Sequence, residues 1–286
     1  MIQSMTGFGK ASLQLPSKKI TVEIKSLNSK GLDLNTRMSS IYREMELGLR
    51  NQISQLLERG KIDFSLYIEI TGEETSSKIN VPIVKGYMNQ LKEVNESADE
   101  TELLKMAIRM PDALKTEREE IDEKEWQEIQ KVINQALENI VQFRKDEGAS
   151  LEKEFQLRIS KIRSLMTEAV AYDAERVATV KTRLRTALDE LKVAVDENRF
   201  EQELIFYLEK YDITEEKVRL ENHLNYFIET LSGNEANGRK LGFITQEMGR
   251  EINTMGSKSN HAEMQKLVVM MKDELEKIKE QVLNVL

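Results

Sequence analysis

The sequence predicts an α+β fold: a small β-rich N-terminal module with one helix, followed by a long-helix, largely all-α C-terminal region. Apolar and polar residues alternate at the two-residue period of strands through the first 72 residues, and a helical period takes over from about Asn80. Only 3 prolines and 13 glycines occur in 286 residues, so few loops can be long. We divide the chain at 145/146, with residues 1–145 as the β-rich module plus a helical extension and residues 146–286 as a helical domain.

Four strands and one helix account for the N-terminal module. Ile20, Val22 and Ile24 fall on one face of the second strand, as expected for a half-buried strand. Apolar residues spaced by three and four predict the helix, and Gly60 follows its end. The predicted strands cover 4–15, 19–27, 31–37 and 61–71, and the predicted helix covers 44–58.

The rest of the chain is predicted to be almost entirely helical. Gly148 is expected to interrupt a long helical stretch. Helices of twenty residues or more with charged outer faces are typical of arms and oligomer contacts, so self-association is expected. The predicted helices cover 82–94, 100–108, 124–145, 150–171, 173–195, 198–211, 214–232, 236–256 and 261–284.

Composition excludes several classes of protein. There are no cysteines, which excludes disulfides, thiolate metal sites and thiol nucleophiles. No apolar run approaches the roughly 18 residues of a membrane span, and the N-terminus lacks the features of a signal peptide, so a cytoplasmic protein without membrane contact is expected. The net charge is −8, yet the first 70 residues carry a net +3, which leaves room for a local basic surface that binds a polyanion.

The polar side of the helix predicted at 236–256 is the strongest candidate for chemistry. Glu247 and Glu251 project from consecutive turns, and two carboxylates so close repel each other unless a positive charge lies between them. Their oxygens suit Mg²⁺ or Mn²⁺. The alternative is a solvated face on which Lys240 and Arg250 neutralise the acids. Asn, Thr and Gly residues of poor helix propensity on this face favour a site.

The two histidines of the chain receive different interpretations. His223 lies on a polar stripe with Glu216 and Arg219, where a neutral imidazole could ligate a metal or transfer a proton. The alternative is a hydrogen-bonded histidine between packed helices. His261 follows a Ser-Lys-Ser-Asn segment and is expected only to start a helix.

Several sequence blocks together resemble one bacterial family, the YicC/YloC proteins. At the N-terminus these are Ser4-Met-Thr-Gly-Phe-Gly, Glu23-Ile-Lys-Ser-Leu-Asn and Arg59-Gly-Lys. At the C-terminus they are Asp212-Ile-Thr-Glu-Glu-Lys-Val-Arg-Leu and the run Gln246-Glu-Met-Gly-Arg-Glu-Ile-Asn-Thr-Met-Gly-Ser-Lys. The resemblance implies a cytoplasmic, metal-dependent endoribonuclease that forms a ring-like homo-oligomer, a hexamer, around RNA. Gly249 and His261 depart from the family pattern, in which Asn and Asp are usual.

The leading hypothesis is hydrolysis of an RNA phosphodiester by metal-activated water. Glu247, Glu251 and His223 would hold Mn²⁺ or Mg²⁺, and Lys240 would complete the catalytic set. Further metal ligands and RNA contacts are predicted as follows: Glu216 and Glu203 as additional ligands, Arg239 and Arg250 on phosphates, and Lys25, Lys30 and Arg37 on the RNA backbone.

Three other hypotheses stay open at this point. Histidine acid–base catalysis could use the RNA 2′-hydroxyl as the nucleophile and would leave a 5′-hydroxyl product instead of a 5′-phosphate. A non-catalytic RNA-binding or adaptor protein that modulates another nuclease would fit the charge-rich helices equally well. A purely structural coiled coil ranks third, because it leaves the polar C-terminal stripe unexplained.

Overall fold

Four strands form one sheet at the N-terminus of the computed structural model, which describes residues 2–71, 78–115, 123–190, 196–233 and 238–286. The sheet order is β1-β2-β4-β3, with β3 parallel to β4 and the other pairs antiparallel. A 3-10 turn and α1 make the crossover from β3 to β4, so the α+β prediction is confirmed. The bounds are β1 Gly7–Gln14, β2 Lys18–Leu27, β3 Leu32–Arg37, a 3-10 helix Ser40–Met45, α1 Glu46–Leu57 and β4 Gly60–Ile70.

The inner face of this sheet carries the apolar side chains that the alternating sequence pattern predicted to share one face. Ile20, Val22 and Ile24 are fully buried, as are Ile53 and Leu57 from α1. Strand β1 contributes little to this core and instead runs close beneath the long helix that follows. A Cβ at Gly9 would lie 2.2 Å from a backbone oxygen of that helix, so only glycine permits the approach.

Residues 78–115 form a small unit of their own beside the sheet. Its two short strands, β5 Lys78–Ile79 and β6 Leu114–Lys115, pair with each other, and between them lie α2 Val81–Val94 and α3 Glu100–Ala107. Val84, Ala107 and Ala113 form its core. The two helices match the predictions to within a residue at each end.

The next helix, α4 Glu123–Ala171, is continuous, so the prediction of a break at Gly148 is wrong. A Cβ at Gly148 would lie 2.1 Å from the Ile2 carbonyl oxygen, which shows that this glycine lets the N-terminal segment cross the helix. The division at 145/146 therefore falls inside α4. One half of this helix packs in the N-terminal core and the other half in the C-terminal core.

The C-terminal core is a bundle of α4 with three further helices. Arg158 on α4 bonds Glu274 on the last helix at 2.9 Å and ties the bundle together across its surface. Two other helices form an arm, in which Arg185 pairs with Glu197 at 2.7 Å. The bounds are α5 Asp173–Glu190 and α6 Glu197–Lys210 in the arm, then α7 Thr214–Ser232, α8 Gly238–Lys258 and α9 Ala262–Val282 in the bundle. The predicted segments 191–195 and 236–237 lie outside the described residues.

Both chain ends meet next to Arg144, where the two cores join. The Ser4 amide donates to the Arg144 carbonyl at 3.0 Å, and Ser4 forms an isolated bridge with Val285. The Arg144 guanidinium is buried and donates to the carbonyls of Met5 (3.2 Å) and Arg59 (3.2 Å), among others. Burial lowers the pKa of this guanidinium below its usual value. These contacts fix the N-terminal module against α4 and against the segment that follows α9.

None of the helices in the described ranges combines the length and the apolar character that a membrane crossing needs.

Candidate functional site

The antiparallel pair α7 and α8 carries most of the predicted catalytic residues. Lys258 pairs with Glu216 near one end of this pair, with Nζ and Oε1 2.7 Å apart. Near the other end, Lys240 Nζ lies 4.8 Å from the centre of the Tyr226 ring. Both contacts join α7 to α8, so we name the contact line between these helices the α7–α8 seam.

Three predicted site residues lie on the two helices that form this seam. Glu247 and Glu251 lie seven residues after Lys240 and seven before Lys258, spacings that keep all four on one stripe of α8. His223 lies between Glu216 and Tyr226 on α7, at i,i+3 spacing from Tyr226. These positions place the three residues on two helices that face each other, and their meeting at one site stays a prediction.

The two glutamates have different surroundings. The Glu247 side chain is 42% exposed and binds Arg250 Nη1 at 2.7 Å. Glu251 is only 8% exposed, and it forms no hydrogen bond or ion pair with any residue that the structure describes. The carboxylate oxygens of Glu251 are not among the fully buried side-chain atoms that lack a partner, so a cation or a bound substrate group can reach them from solvent.

Glu216 lies in the same seam but already has a cationic partner. It is buried, and Lys258 bonds both its carboxylate and the Asp212 carbonyl, the latter at 2.8 Å. Asp212 accepts hydrogen bonds from the Thr214 hydroxyl and amide, which lower its pKa and fix the start of α7. This end of the seam is a structural tie between the two helices.

Glu203 is the one predicted ligand outside the seam. It lies exposed on α6, in the arm, where no polar contact with another described residue fixes it. Across the parts of the chain that the structure describes, no group of three or more His, Asp or Glu side chains is placed to hold a metal ion. The ligand set stays a prediction.

Predicted RNA-binding residues do not lie together: Lys25 and Arg37 lie on the outer face of the sheet, and the others lie at α8 or in a cleft. Lys25 is exposed on β2, with Nζ 5.9 Å from the Phe8 ring centre and 3.9 Å from Glu23. Arg37 is exposed at the end of β3. Arg250 is on the outer side of α8, paired with Glu247 as above.

The remaining two, Lys30 and Arg239, line one cleft of about 760 Å³ between the N-terminal module and the helices α8 and α9. Two further cations in the lining, Arg59 and Lys279, were not identified from the sequence. Arg59 Nε donates to the Ser29 carbonyl at 2.8 Å and so holds the loop that carries Lys30. The remaining lining residues are mixed in character: Met5, Asn28, Gly238, Gly242, Thr245, Gln246, Glu276, Glu280, Val282, Leu283 and Val285.

The cleft and the seam lie on opposite flanks of α8. Gly242 lines the cleft, and a Cβ on it would contact Val282 of α9 at 3.9 Å. Gly249 faces the same flank, because its Cβ would lie 3.4 Å from the Leu275 side chain. Gly249, at a position where Asn is usual in the family, therefore faces α9, on the flank of α8 away from Glu247 and Glu251.

His261 has the role predicted for it. It is the N-cap of α9, and its Nδ1 accepts a hydrogen bond from the Met264 amide at 3.4 Å. The imidazole also stacks on Tyr172, with ring centres 5.1 Å apart. An acidic side chain could make the same cap, so this position has a structural function.

Comparison with known proteins covers nearly the whole chain. Residues 2–153 match the family model described as the N-terminal region of YicC-like endoribonucleases, and residues 169–286 match the corresponding C-terminal model. The chain is 32% identical to a probable endoribonuclease YicC of Clostridioides difficile, with 100% of both chains covered. It is 29% identical to a probable endoribonuclease YicC of Haemophilus influenzae, with 99% of both covered.

Proposed function

Because this chain belongs to the YicC-like endoribonuclease family, we propose that it is an RNA-cleaving hydrolase that cuts internal phosphodiester bonds. The full-length similarity to proteins named probable endoribonuclease YicC supports the reaction. The one structural observation that carries the assignment of the chemistry is Glu251, a residue that is 8% exposed and whose carboxylate forms no hydrogen bond or ion pair among the described residues.

RNA would bind first through the cleft. Lys30, Arg59 and Arg239 come from both halves of the molecule and bring three positive charges to one cavity. Guanidinium groups bind phosphate oxygens with charge-assisted, often bidentate hydrogen bonds. Glu276 and Glu280 line the wall formed by α9 and would repel phosphate there, so the backbone is expected along the wall that carries Arg59 and Arg239.

Chemistry would take place at the seam. Mg²⁺ is commonly bound by one or two carboxylates together with substrate phosphates, so a complete cage of protein ligands is not required. Glu251 fits that role, and His223 and Glu247 would be the adjacent donors. Mn²⁺ or Mg²⁺ held there would supply an activated water and stabilise charge on phosphorus. Lys240, positioned over the Tyr226 ring, would bind a phosphate oxygen beside the reacting bond.

Our proposal gives Glu216 and Glu203 no direct part in the reaction. Lys258 pairs with Oε1 of Glu216, and removing this carboxylate would disrupt the end of the seam. Glu203 projects from the arm into solvent.

Replacement of Glu251 by Gln tests the assignment. The amide keeps the size of the side chain but loses its charge, so we expect cleavage of a labelled RNA in Mn²⁺ or Mg²⁺ to fall by about 100-fold or more. Affinity for the RNA should change little, because Glu251 lies on the flank opposite the cleft. Glu263→Gln, at an exposed glutamate on α9, is the matched control and should retain full activity. Cleavage by Glu251→Gln at the rate of the control would refute the assignment.

The ends of the products separate the metal route from attack by the 2′-hydroxyl. Hydrolysis by metal-activated water predicts a 5′-phosphate, and the 2′-hydroxyl route predicts a 5′-hydroxyl. The same assay covers a second candidate function, a non-catalytic RNA-binding adaptor. The pairing of Glu247 with Arg250 favours that candidate, since it removes one free ligand. Tight RNA binding with no turnover in either metal would support it over the nuclease.

We further propose that the protein acts as a cytoplasmic homo-oligomer, a hexamer by its family resemblance. The arm supports assembly: Ile205 and Phe206 on α6 expose more than half of their apolar surface. Light scattering of the native protein would give six times the 33.1 kDa chain mass if the hexamer is correct.

A further inference from the structure

The outer side of α8 carries an exposed aromatic residue, Phe243, that the reaction proposed above does not use. Its ring side chain is 61% exposed, and it makes no ring–ring or cation–π contact within the described parts of the chain. Arg239, Gln246 and Arg250 lie at intervals of four, three and four residues around it, so all four side chains share one stripe of the helix. The result is an unsatisfied apolar surface flanked by two arginines.

This stripe separates the cleft from the seam. Arg239 and Gln246 also line the cleft on the α9 flank, whereas Lys240 and Tyr226 lie on the α7 flank. Phe243 follows Gly242 of the cleft and lies three residues after Lys240 of the seam. An RNA strand that runs from the cleft to Glu251 would cross this outer stripe, because the two flanks are separated by a helix about 10–12 Å in diameter.

Among the described residues that line the cleft, none is aromatic, so this cavity can bind the backbone but offers no ring on which a base could stack. Exposed aromatic rings beside arginines form the stacking platforms of single-strand binding proteins, since every base has a π face. Bases in a duplex are already stacked on each other, and a ring on the protein surface gains nothing from them until they are unpaired.

We propose that Phe243 is a base-stacking platform that makes the protein prefer RNA with unpaired nucleotides next to the bound backbone. This inference rests on the proposed function, because it assumes that RNA runs from the cleft to the seam. Arg239 would bind the phosphate on the cleft side of the stacked base. Tyr226, 45% exposed with Lys240 over its ring, offers a second ring on the far side of the stripe.

The test measures binding of the native full-length chain to two probes. One probe is a single-stranded RNA with one 2-aminopurine, and the other is a blunt RNA duplex of the same sequence. Phe243→Ala should weaken single-strand binding by about 5- to 150-fold, the equivalent of ~1–3 kcal/mol for one lost stacking contact, and should abolish quenching of 2-aminopurine fluorescence. Duplex binding should change by less than about twofold, because phosphate contacts dominate it.

Two variants act as controls. Phe243→Trp keeps an aromatic face and should retain the affinity and the quenching. Phe143→Ala removes a ring that is 45% exposed on α4 and lines neither the cleft nor the seam, and should bind both probes as the wild type does.

Three outcomes would overturn the platform. The first is an equal loss of affinity for the single strand and the duplex. The second is a loss of affinity in Phe243→Ala that Phe243→Trp does not restore. The third is a change in the solution mass of Phe243→Ala, which would make Phe243 a contact between copies of the chain. Failure of the proposed function would look different. The wild type would then show Phe243-dependent quenching without cutting either RNA, which supports the platform and refutes the nuclease.

Discussion

Replacement of Gly148 by Ala tests how the N-terminal segment is anchored. In an isolated helix this change would be favourable, because alanine exceeds glycine in helix propensity by about 0.8–1 kcal/mol. In this protein the new Cβ would lie 2.1 Å from the Ile2 carbonyl oxygen and 2.9 Å from the Gln3 Cα, both backbone atoms. The N-terminal segment must therefore move away from α4.

The structure bounds the size of the effect. Overpacking of a well-filled site costs roughly 1–3 kcal/mol. If the segment detached completely, the protein would lose the burial of Ile2, worth ~1.5–3 kcal/mol. It would also lose about three backbone hydrogen bonds at ~1 kcal/mol each. The upper limit of the loss is therefore about 6 kcal/mol, before the entropy that the freed segment regains is subtracted. We therefore expect Gly148→Ala to lower the free energy of unfolding by about 1–3 kcal/mol.

Urea unfolding followed by circular dichroism measures this change, with Gly48→Ala as the matched control. Gly48 lies in α1, where an added Cβ meets no atom within 4 Å, so that variant should be neutral or more stable by up to about 1 kcal/mol. Gly148→Ala should also weaken RNA binding, because Met5 and Val285 of the displaced region line the cleft. If Gly148→Ala were as stable as Gly48→Ala, the close approach described above would be wrong.

Two further predictions concern ion pairs. Lys258→Met leaves the buried Glu216 without its cation. Because the Lys258 side chain is 28% exposed, we expect the free energy of unfolding to fall by about 2–3 kcal/mol, less than for a fully buried pair. Lys266→Met, at an exposed pair on α9, should cost at most about 0.5 kcal/mol by the same urea assay, and equal losses would contradict this reasoning. Burial disfavours ionisation of Glu274, but hydrogen bonds from its lysine and arginine partners outweigh burial and hold its pKa below the usual value. A depressed pKa adds stability above the unfolded-state value of about 4.3, and that stability is lost as the pH falls through the folded pKa. The stability difference between the wild type and Glu274→Gln should therefore shrink below about pH 4, and a constant difference from pH 7 to pH 3 would exclude the prediction.

The secondary structure followed closely from the sequence because local periodicity specifies it. The alternation around Ile20 and Val22 identified β2, and spacing by three and four residues identified α7 over 214–232, the bounds that the structure has. These signals depend only on which side of a strand or helix faces the core. The break predicted at Gly148 failed because the sequence shows a glycine but does not show what approaches it.

The candidate site, too, could be predicted only in part from the sequence. The sequence identified Glu251 and Glu247 as a pair and placed them on the polar side of one helix, with His223 from the preceding helix as their neighbour. It could not tell that Glu251 would be buried without a partner while Glu247 would be bound by Arg250, because burial depends on how α7 packs against α8.

The cleft shows most clearly what only the tertiary structure decided. Lys30, Arg59 and Arg239 are separated by up to 209 positions, and no local pattern joins them. They meet because both chain ends converge on Arg144 and draw the sheet loops against α8 and α9. The sequence by itself determined the elements, the family and the polar stripe, since these depend on near neighbours along the chain. The separation of the cleft from the α7–α8 seam, and the position of Phe243 between them, depend on how α7 and α9 pack on opposite flanks of α8.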